Sequence, residues 1–93
     1  MKIKLTVEFK YDLNDIVDFI SKDKPVAARK FKTELIKKMQ KDLKQPFLFK
    51  KSIYFEGENI RDYVFKGYTV VFKVDNELET VSVAAILKHR NSF

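Results

Sequence analysis

Residues 60–74 read Ile-Arg-Asp-Tyr-Val-Phe-Lys-Gly-Tyr-Thr-Val-Val-Phe-Lys-Val and decide the fold, because two strand-like runs flank a turn dipeptide. Both runs are rich in β-branched and aromatic residues, and Gly67 can take the positive φ that a two-residue hairpin turn requires. A turn at Lys66-Gly67 predicts three cross-strand pairs on one sheet face: Phe65 with Tyr68, Tyr63 with Val70, and Arg61 with Phe72. Arg61 then lies at the edge of an apolar patch. Its role there is either structural, as a snorkelling or ion-paired side chain, or functional, as an anion-binding one.

The composition indicates one small folded domain, residues 1–93. Apolar residues make up 45% of the chain and include nine Phe and four Tyr, which is ample for a core. The absence of cysteine excludes disulfides and thiolate metal sites. No apolar run approaches the ~20 residues of a membrane-spanning helix, and the N-terminus alternates instead of forming a signal-peptide core. We therefore expect a cytoplasmic protein with no membrane partner.

The positive charge is concentrated in one third of the chain. The net charge is +6, and residues 22–51 hold eleven Lys and Arg against three acidic residues. Such a patch attracts polyanions or an acidic protein partner, although a solvated lysine-rich helix face would have the same composition.

Periodicity along the chain predicts seven elements in the order β-α-α-β-β-β-β. They are a strand over Lys2–Phe9, a helix from an N-cap at Asp12 to Ser21 or Lys22, a helix from Pro25 to Leu43, a short strand over Ser52–Phe55, the two hairpin strands, and a last strand over Thr80–Leu87. Strict alternation in the last strand places Val81, Val83, Ala85 and Leu87 on one side. The predicted fold class is α+β: a twisted, mainly antiparallel sheet packed against an N-terminal helical hairpin.

Few residues have the chemistry of a catalytic site. One histidine, no cysteine and no clustered acidic spacing argue against a metal site, and there is no glycine-rich phosphate loop or nucleophile elbow, so we expect no metal and no cofactor. The last strand ends in Lys88-His89-Arg90. His89 is the natural proton carrier, and Arg61 and Arg90 are suited to binding a phosphate through their planar donor forks. A solvated basic tail is the alternative interpretation of these residues.

The order and spacing of these segments resemble the RelE/ParE superfamily, the toxins of type II toxin–antitoxin pairs. The resemblance covers nearly the whole chain. It is carried by the opening strand, the two helices, Pro46, and the segments Ile60-Arg61-Asp62, Lys66-Gly67-Tyr68, Val70–Val74 and Ile86–Arg90. The resemblance implies a compact antiparallel sheet against a helical hairpin and a cognate antitoxin that wraps the toxin.

The superfamily is divided by target, and from the resemblance we expect mRNA cleavage first, with gyrase inhibition and an inactive homologue as the alternatives. RelE-like members cleave mRNA on the ribosome without a metal, which would make Arg61, His89 and Arg90 catalytic and Lys66 and Lys88 nucleic-acid-binding. ParE-like members poison DNA gyrase and have no known nuclease activity. An inactive homologue that only binds its antitoxin is a third possibility.

Two departures from the ribonuclease pattern bear on this choice. Many RelE-like ribonucleases carry Arg directly after the Gly-Tyr of the hairpin, where this chain has Thr69. Several also place a functional Tyr near the C-terminus, whereas this chain has no tyrosine after Tyr68. Both departures favour the ParE-like side or an inactive homologue.

Overall fold

A computed structural model describes residues 1–88 and shows an α+β fold, as predicted. Its strands and helices are β1 (Lys2–Leu5), α1 (Val7–Ser21), α2 (Pro25–Asp42), β2 (Ile60–Phe65), β3 (Tyr68–Asp75) and β4 (Thr80–Lys88). The four strands form one sheet in the order β1-β4-β3-β2, in which β1 runs parallel to β4 and the other pairs are antiparallel.

The β2–β3 hairpin has the predicted register. Phe65 pairs with Tyr68, Tyr63 with Val70 and Arg61 with Phe72. Both turn residues have positive φ, 45° at Lys66 and 82° at Gly67, as a tight hairpin turn with the right-handed twist of the strands requires. Tyr63, Phe65, Val70 and Phe72 are all buried on the helix-facing side of the sheet.

The second helix also begins where the sequence predicts. Pro25 occupies its first turn, where a missing N–H costs nothing. The side chains that α2 buries against the sheet recur at helical spacing: Ala28, Phe31, Leu35 and Met39, followed by Leu43 at the C-cap. They join Phe9 and Leu13 of α1 and the inward side chains of the sheet in one core.

The boundary between the first strand and the first helix was predicted wrongly. The strand ends at Leu5 and the helix begins at Val7, not after Asp12. The reason is Thr6, whose Oγ1 accepts a hydrogen bond from the N–H of Phe9 at 3.1 Å and so caps the helix. Since residues 7–9 continue the apolar alternation of the strand, the periodicity did not reveal this cap.

The predicted side-chain orientation of the last strand was partly wrong, because β4 contains a bulge. Val71 pairs with Ala85 but Phe72 pairs with Val83, so Ala84 is an extra residue. After it the alternation is inverted: Ile86 is buried in the core, and Ala85 and Leu87 do not share the side of Val81 and Val83. Thr6 lies against this bulge, because its N–H donates to Val83 O at 3.0 Å and its hydroxyl donates to Ala84 O at 3.3 Å.

The strand predicted over Ser52–Phe55 is absent. A short 3₁₀ turn spans Pro46–Leu48, and Lys51 makes a single bridge with Arg61. Beyond it, side chains take the main-chain donors: Ser52 Oγ accepts from the N–H groups of Tyr54 and Phe55, and Asp62 Oδ2 accepts from the N–H of Ile53 at 3.0 Å. These local bonds replace a strand ladder.

No helix within residues 1–88 is long and apolar enough to cross a lipid bilayer.

Candidate functional site

Arg61 fixes the connection between α2 and β2. It lies on β2 and is partly buried, and its Nε donates to Glu58 O at 3.0 Å while Nη1 donates to Phe49 O at 2.8 Å. The guanidinium carbon also lies 4.9 Å from the ring centroid of Phe47, which is cation–π distance. Two carbonyls and one aromatic ring, all from residues 47–58, therefore surround this guanidinium. Within residues 1–88 the side chain is bound to main-chain carbonyls and is not paired with a carboxylate.

The sheet separates Arg61 from the other predicted site residues that the structure describes. Tyr68 pairs with both Phe65 and Lys88, so Lys88 lies at the same end of the sheet as the turn that contains Lys66. Arg61 pairs with Phe72, four residues further along β3, which is about 13 Å at the usual rise per strand residue. His89 and Arg90, the other two predicted catalytic residues, lie outside the described residues.

Lys66 reaches from the hairpin turn to α2. Its Nζ lies 2.8 Å from Glu34 Oε2 and 5.4 Å from the ring centroid of Phe65. The hydrogen bond from Lys66, with its charge second, lowers the pKa of the Glu34 carboxyl. Because both side chains are about half exposed, this pair contributes little to stability, and Lys66 remains accessible to an anion.

A groove of about 520 Å³ adjoins Lys88. It runs between α1 and the end of the sheet, and its lining combines apolar side chains with two acids and one cation: Asp12, Asp15, Ile16, Phe19, Tyr68, Ile86, Leu87 and Lys88. Tyr68, one of the lining residues, is held in place because its ring packs edge-on against Phe31 with the centroids 5.3 Å apart. The groove is suited to an apolar side chain that carries or adjoins a positive charge.

A hydrogen bond between α2 and the sheet was not predicted from the sequence. The hydroxyl of Tyr63, which is buried, donates to Asp42 Oδ2 at 2.7 Å. Burial, and then the hydrogen bond and charge of Asp42, raise the pKa of Tyr63 above its ordinary value. A signal was present in the sequence, because Asp42 lies at helical spacing within the apolar stripe of α2, where an acid needs a partner.

No three His, Cys, Asp or Glu side chains of residues 1–88 lie close enough together to hold a metal ion.

The chain belongs to the family of ParE toxins of type II toxin–antitoxin systems, whose model matches residues 3–93. This membership confirms the predicted superfamily. No curated protein matches the sequence.

Solved structures of toxins share the fold at low sequence identity. A chain of the chromosomal ParDE system of P. aeruginosa is 20% identical, with a TM-score of 0.70 over 97% of both chains. A chain of the RelBE2 toxin–antitoxin complex of Mycobacterium tuberculosis is 18% identical, with a TM-score of 0.64 over 96% of both chains. The YoeB/ParE toxin of Agrobacterium tumefaciens is 15% identical, with a TM-score of 0.52 over 97% of this chain and 100% of that one.

The first prediction concerns Arg61. We expect Arg61→Lys to lower the free energy of unfolding by about 1 to 2 kcal/mol, because an ammonium cannot donate to both carbonyls in the geometry of the guanidinium fork. Urea denaturation measures the loss. The matched control is Lys51→Ala, which removes an exposed pair with Glu58 and should change stability by less than about 0.5 kcal/mol. Equal stability of Arg61→Lys and wild type would show that the two bonds contribute nothing.

The second prediction concerns Tyr63. Tyr63→Phe should destabilise the protein at pH 7 by about 1 to 2 kcal/mol, since it leaves the Asp42 carboxylate without its donor. Because the folded pKa of Tyr63 is raised, this contribution is complete below the ordinary tyrosine pKa of about 10 and is lost as the pH rises further.

The difference between wild type and Tyr63→Phe should therefore shrink when denaturation is repeated above about pH 10. Tyr11→Phe is the control, since Tyr11 is exposed and its removal should alter stability at neither pH. A difference that stays constant or grows with pH would contradict the assignment of the shift to Tyr63.

Proposed function

We propose that this toxin stops growth by binding DNA gyrase and blocking it, without a catalytic reaction of its own. The observation that carries the proposal is the position of Arg61. Its guanidinium is bound to two main-chain carbonyls and lies about 13 Å along the sheet from the strand position of Lys88. An arginine used in this way supports the structure of the loop, and two of its five N–H donors, including Nε, are already bound there.

Two further points support gyrase over RNA. The family whose model matches is that of the ParE toxins, and the resemblance associates ParE-like proteins with gyrase. The structure also gives Thr69 a different setting from a phosphate-binding arginine, because Thr69 is 1% exposed and lies within the sheet, between Val64 and Leu87. A buried, uncharged threonine is unable to take the part of the arginine that many RelE-like ribonucleases carry directly after the Gly-Tyr of the hairpin.

An antitoxin is the second part of the proposal. Two of the similar solved structures are described as a ParDE toxin–antitoxin system and a RelBE2 toxin–antitoxin complex. In this chain, α2 presents lysines to solvent, and Phe47 and Leu48 are exposed beside its C-terminal end. A basic helix next to exposed apolar side chains suits an acidic, amphipathic partner segment.

Metal-independent cleavage of mRNA on the ribosome is the second candidate function, with Arg61, His89 and Arg90 as catalytic residues. The observation that favours it is the placement of Lys66 and Lys88 at one end of the sheet, where two cations are available to nucleic acid. His89 and Arg90 follow Lys88 directly in the sequence.

Inducible expression in bacteria distinguishes the two candidates. Protein synthesis and DNA synthesis are followed by pulse labelling in the same culture, with an empty vector as the control. We expect DNA synthesis to fall early while translation continues. Early collapse of translation with DNA synthesis spared would overturn the gyrase proposal in favour of mRNA cleavage, and undisturbed growth would overturn both.

The His89→Ala variant sharpens this test, because it removes the only histidine without altering any residue that the structure describes. Under the gyrase proposal the variant remains toxic. Under the cleavage proposal the loss of a general acid or base slows the reaction by about 10²- to 10⁴-fold, and toxicity falls with it.

A further inference from the structure

The groove of about 520 Å³ between α1 and the end of the sheet has a mainly apolar lining. Ile16 and Phe19 contribute from α1, and Tyr68, Ile86 and Leu87 contribute from the sheet. Phe19 is 68% exposed, so the ring at this groove is largely in contact with water. Covering such a ring removes apolar surface from water, and this favours a segment that lies in the groove.

The α1 side of the same groove is acidic, in a chain whose net charge is +6. This helix contains four acids, Glu8, Asp12, Asp15 and Asp18, against the single cation Lys10. Asp12 and Asp15 line the groove, and within residues 1–88 neither of them is ion-paired. The groove is therefore complementary to a segment that combines positive charge with an apolar side chain.

The described part of the chain ends at this groove. Lys88, its last residue, is one of the lining residues. Ile86 is buried on the helix side of β4, and strand alternation directs Lys88 to the same side. Residues 89–93, which lie outside the described residues, follow directly and read His-Arg-Asn-Ser-Phe. The sequence next to the groove thus supplies both the basic and the aromatic side chain that the groove would complement.

The spacing of charge and apolar surface also agrees between the two partners. Asp12 and Phe19 lie on the same helix, and their separation along its axis is about 10 Å at the usual rise per residue. Arg90 and Phe93 are separated by a similar distance, about 10 Å, in an extended chain. A segment whose arginine lies against Asp12 therefore has its aromatic ring within reach of Phe19.

We propose that this groove binds residues 89–93 of the same chain, with Arg90 on the carboxylates of α1 and Phe93 on the apolar lining. The guanidinium donates charge-assisted hydrogen bonds to Asp12 or Asp15. The ring of Phe93 loses contact with water against the apolar side chains of the groove. Both contacts are needed, because each alone is small beside the conformational entropy of ordering the segment.

The covalent connection at Lys88 favours this occupant over a separate molecule. A segment tethered beside its site has an effective concentration of millimolar order, whereas a second copy offers the same residues only at the concentration of the protein. A nucleic acid would be repelled by Asp12 and Asp15.

The consequence of docking is a structural role for Arg90, which would then be held on α1, as Arg61 is held on its loop. The inference goes beyond the proposed function, since gyrase inhibition does not require a docked segment.

The first test is nuclear Overhauser spectroscopy on the full-length protein with labelled isoleucine methyl groups. We expect cross-peaks between the ring protons of Phe93 and the methyl protons of Ile16, and Phe93→Ala identifies them by their loss. Arg90→Glu should also abolish them, because it places a carboxylate against Asp12 and Asp15. Combining Arg90→Glu with Asp12→Lys and Asp15→Lys should restore them, which a merely structural defect would not do.

The second test measures how far the segment covers the groove. Because the chain has no cysteine, Phe19→Cys introduces a single thiol at the groove, and its rate of reaction with a soluble disulfide reports exposure. Adding Phe93→Ala should raise this rate about fivefold, since the apolar contact that holds the segment is removed. The matched control is Val26→Cys, at an exposed position of α2 that is not among the lining residues, where Phe93→Ala should leave the rate unchanged.

Three results would overturn the inference. The first is the absence of cross-peaks between Phe93 and Ile16 in the folded protein. The second is a thiol at position 19 that reacts equally fast with and without Phe93. The third is a set of cross-peaks that arises only between labelled and unlabelled molecules in a mixed sample, which would assign the groove to a second copy of the chain.

Discussion

The register of β2 against β3 is the constraint on which the other features depend. The two positive-φ residues of the turn, Lys66 and Gly67, fix which side chains of β2 face the helices. A slip of one residue would move Tyr63 and Phe65 out of the core and Arg61 away from the carbonyls it binds. The hydrogen bond between Tyr63 and Asp42 and the exposed position of Val64 follow from the same alternation, since one faces the core and the other solvent.

Arg61 links this register to the functional question. In the sequence its position at the edge of an apolar patch favours a snorkelling or ion-paired arginine over an anion-binding one. In the folded protein two of its five N–H donors are bound to Glu58 O and Phe49 O, so the side chain stabilises a loop. Most of the cations that residues 1–88 expose to solvent are lysines, including those of α2 and of the hairpin end. These act as an electrostatic surface for partners more readily than as a preorganised phosphate clamp.

Local signals in the sequence predicted the parts of the fold that local interactions determine. The hairpin register and the start of α2 were predicted because Gly67 permits the positive φ that the turn needs and Pro25 has the restricted φ of a first helical residue. The start of α1 and the loss of the strand after Ser52 were not, because they depend on side-chain hydrogen bonds of Thr6, Ser52 and Asp62 that periodicity does not reveal. The bulge at Ala84 was not either, because it depends on the pairing of β4 with β3. Thr6 caps α1 and also contacts the bulge in β4, a contact across 78 residues that no periodicity reveals.

The same distinction applies to the site. Residue type identified Arg61, Lys66 and Lys88 as cations of interest, but the separation of Arg61 from the two lysines became known only from the strand pairing.

The most direct test of the central claim is supercoiling of relaxed plasmid by purified DNA gyrase, with this protein added at increasing concentration. The account predicts that supercoiling stops once the protein is in stoichiometric excess over gyrase. Full supercoiling at any excess of the folded protein would contradict it.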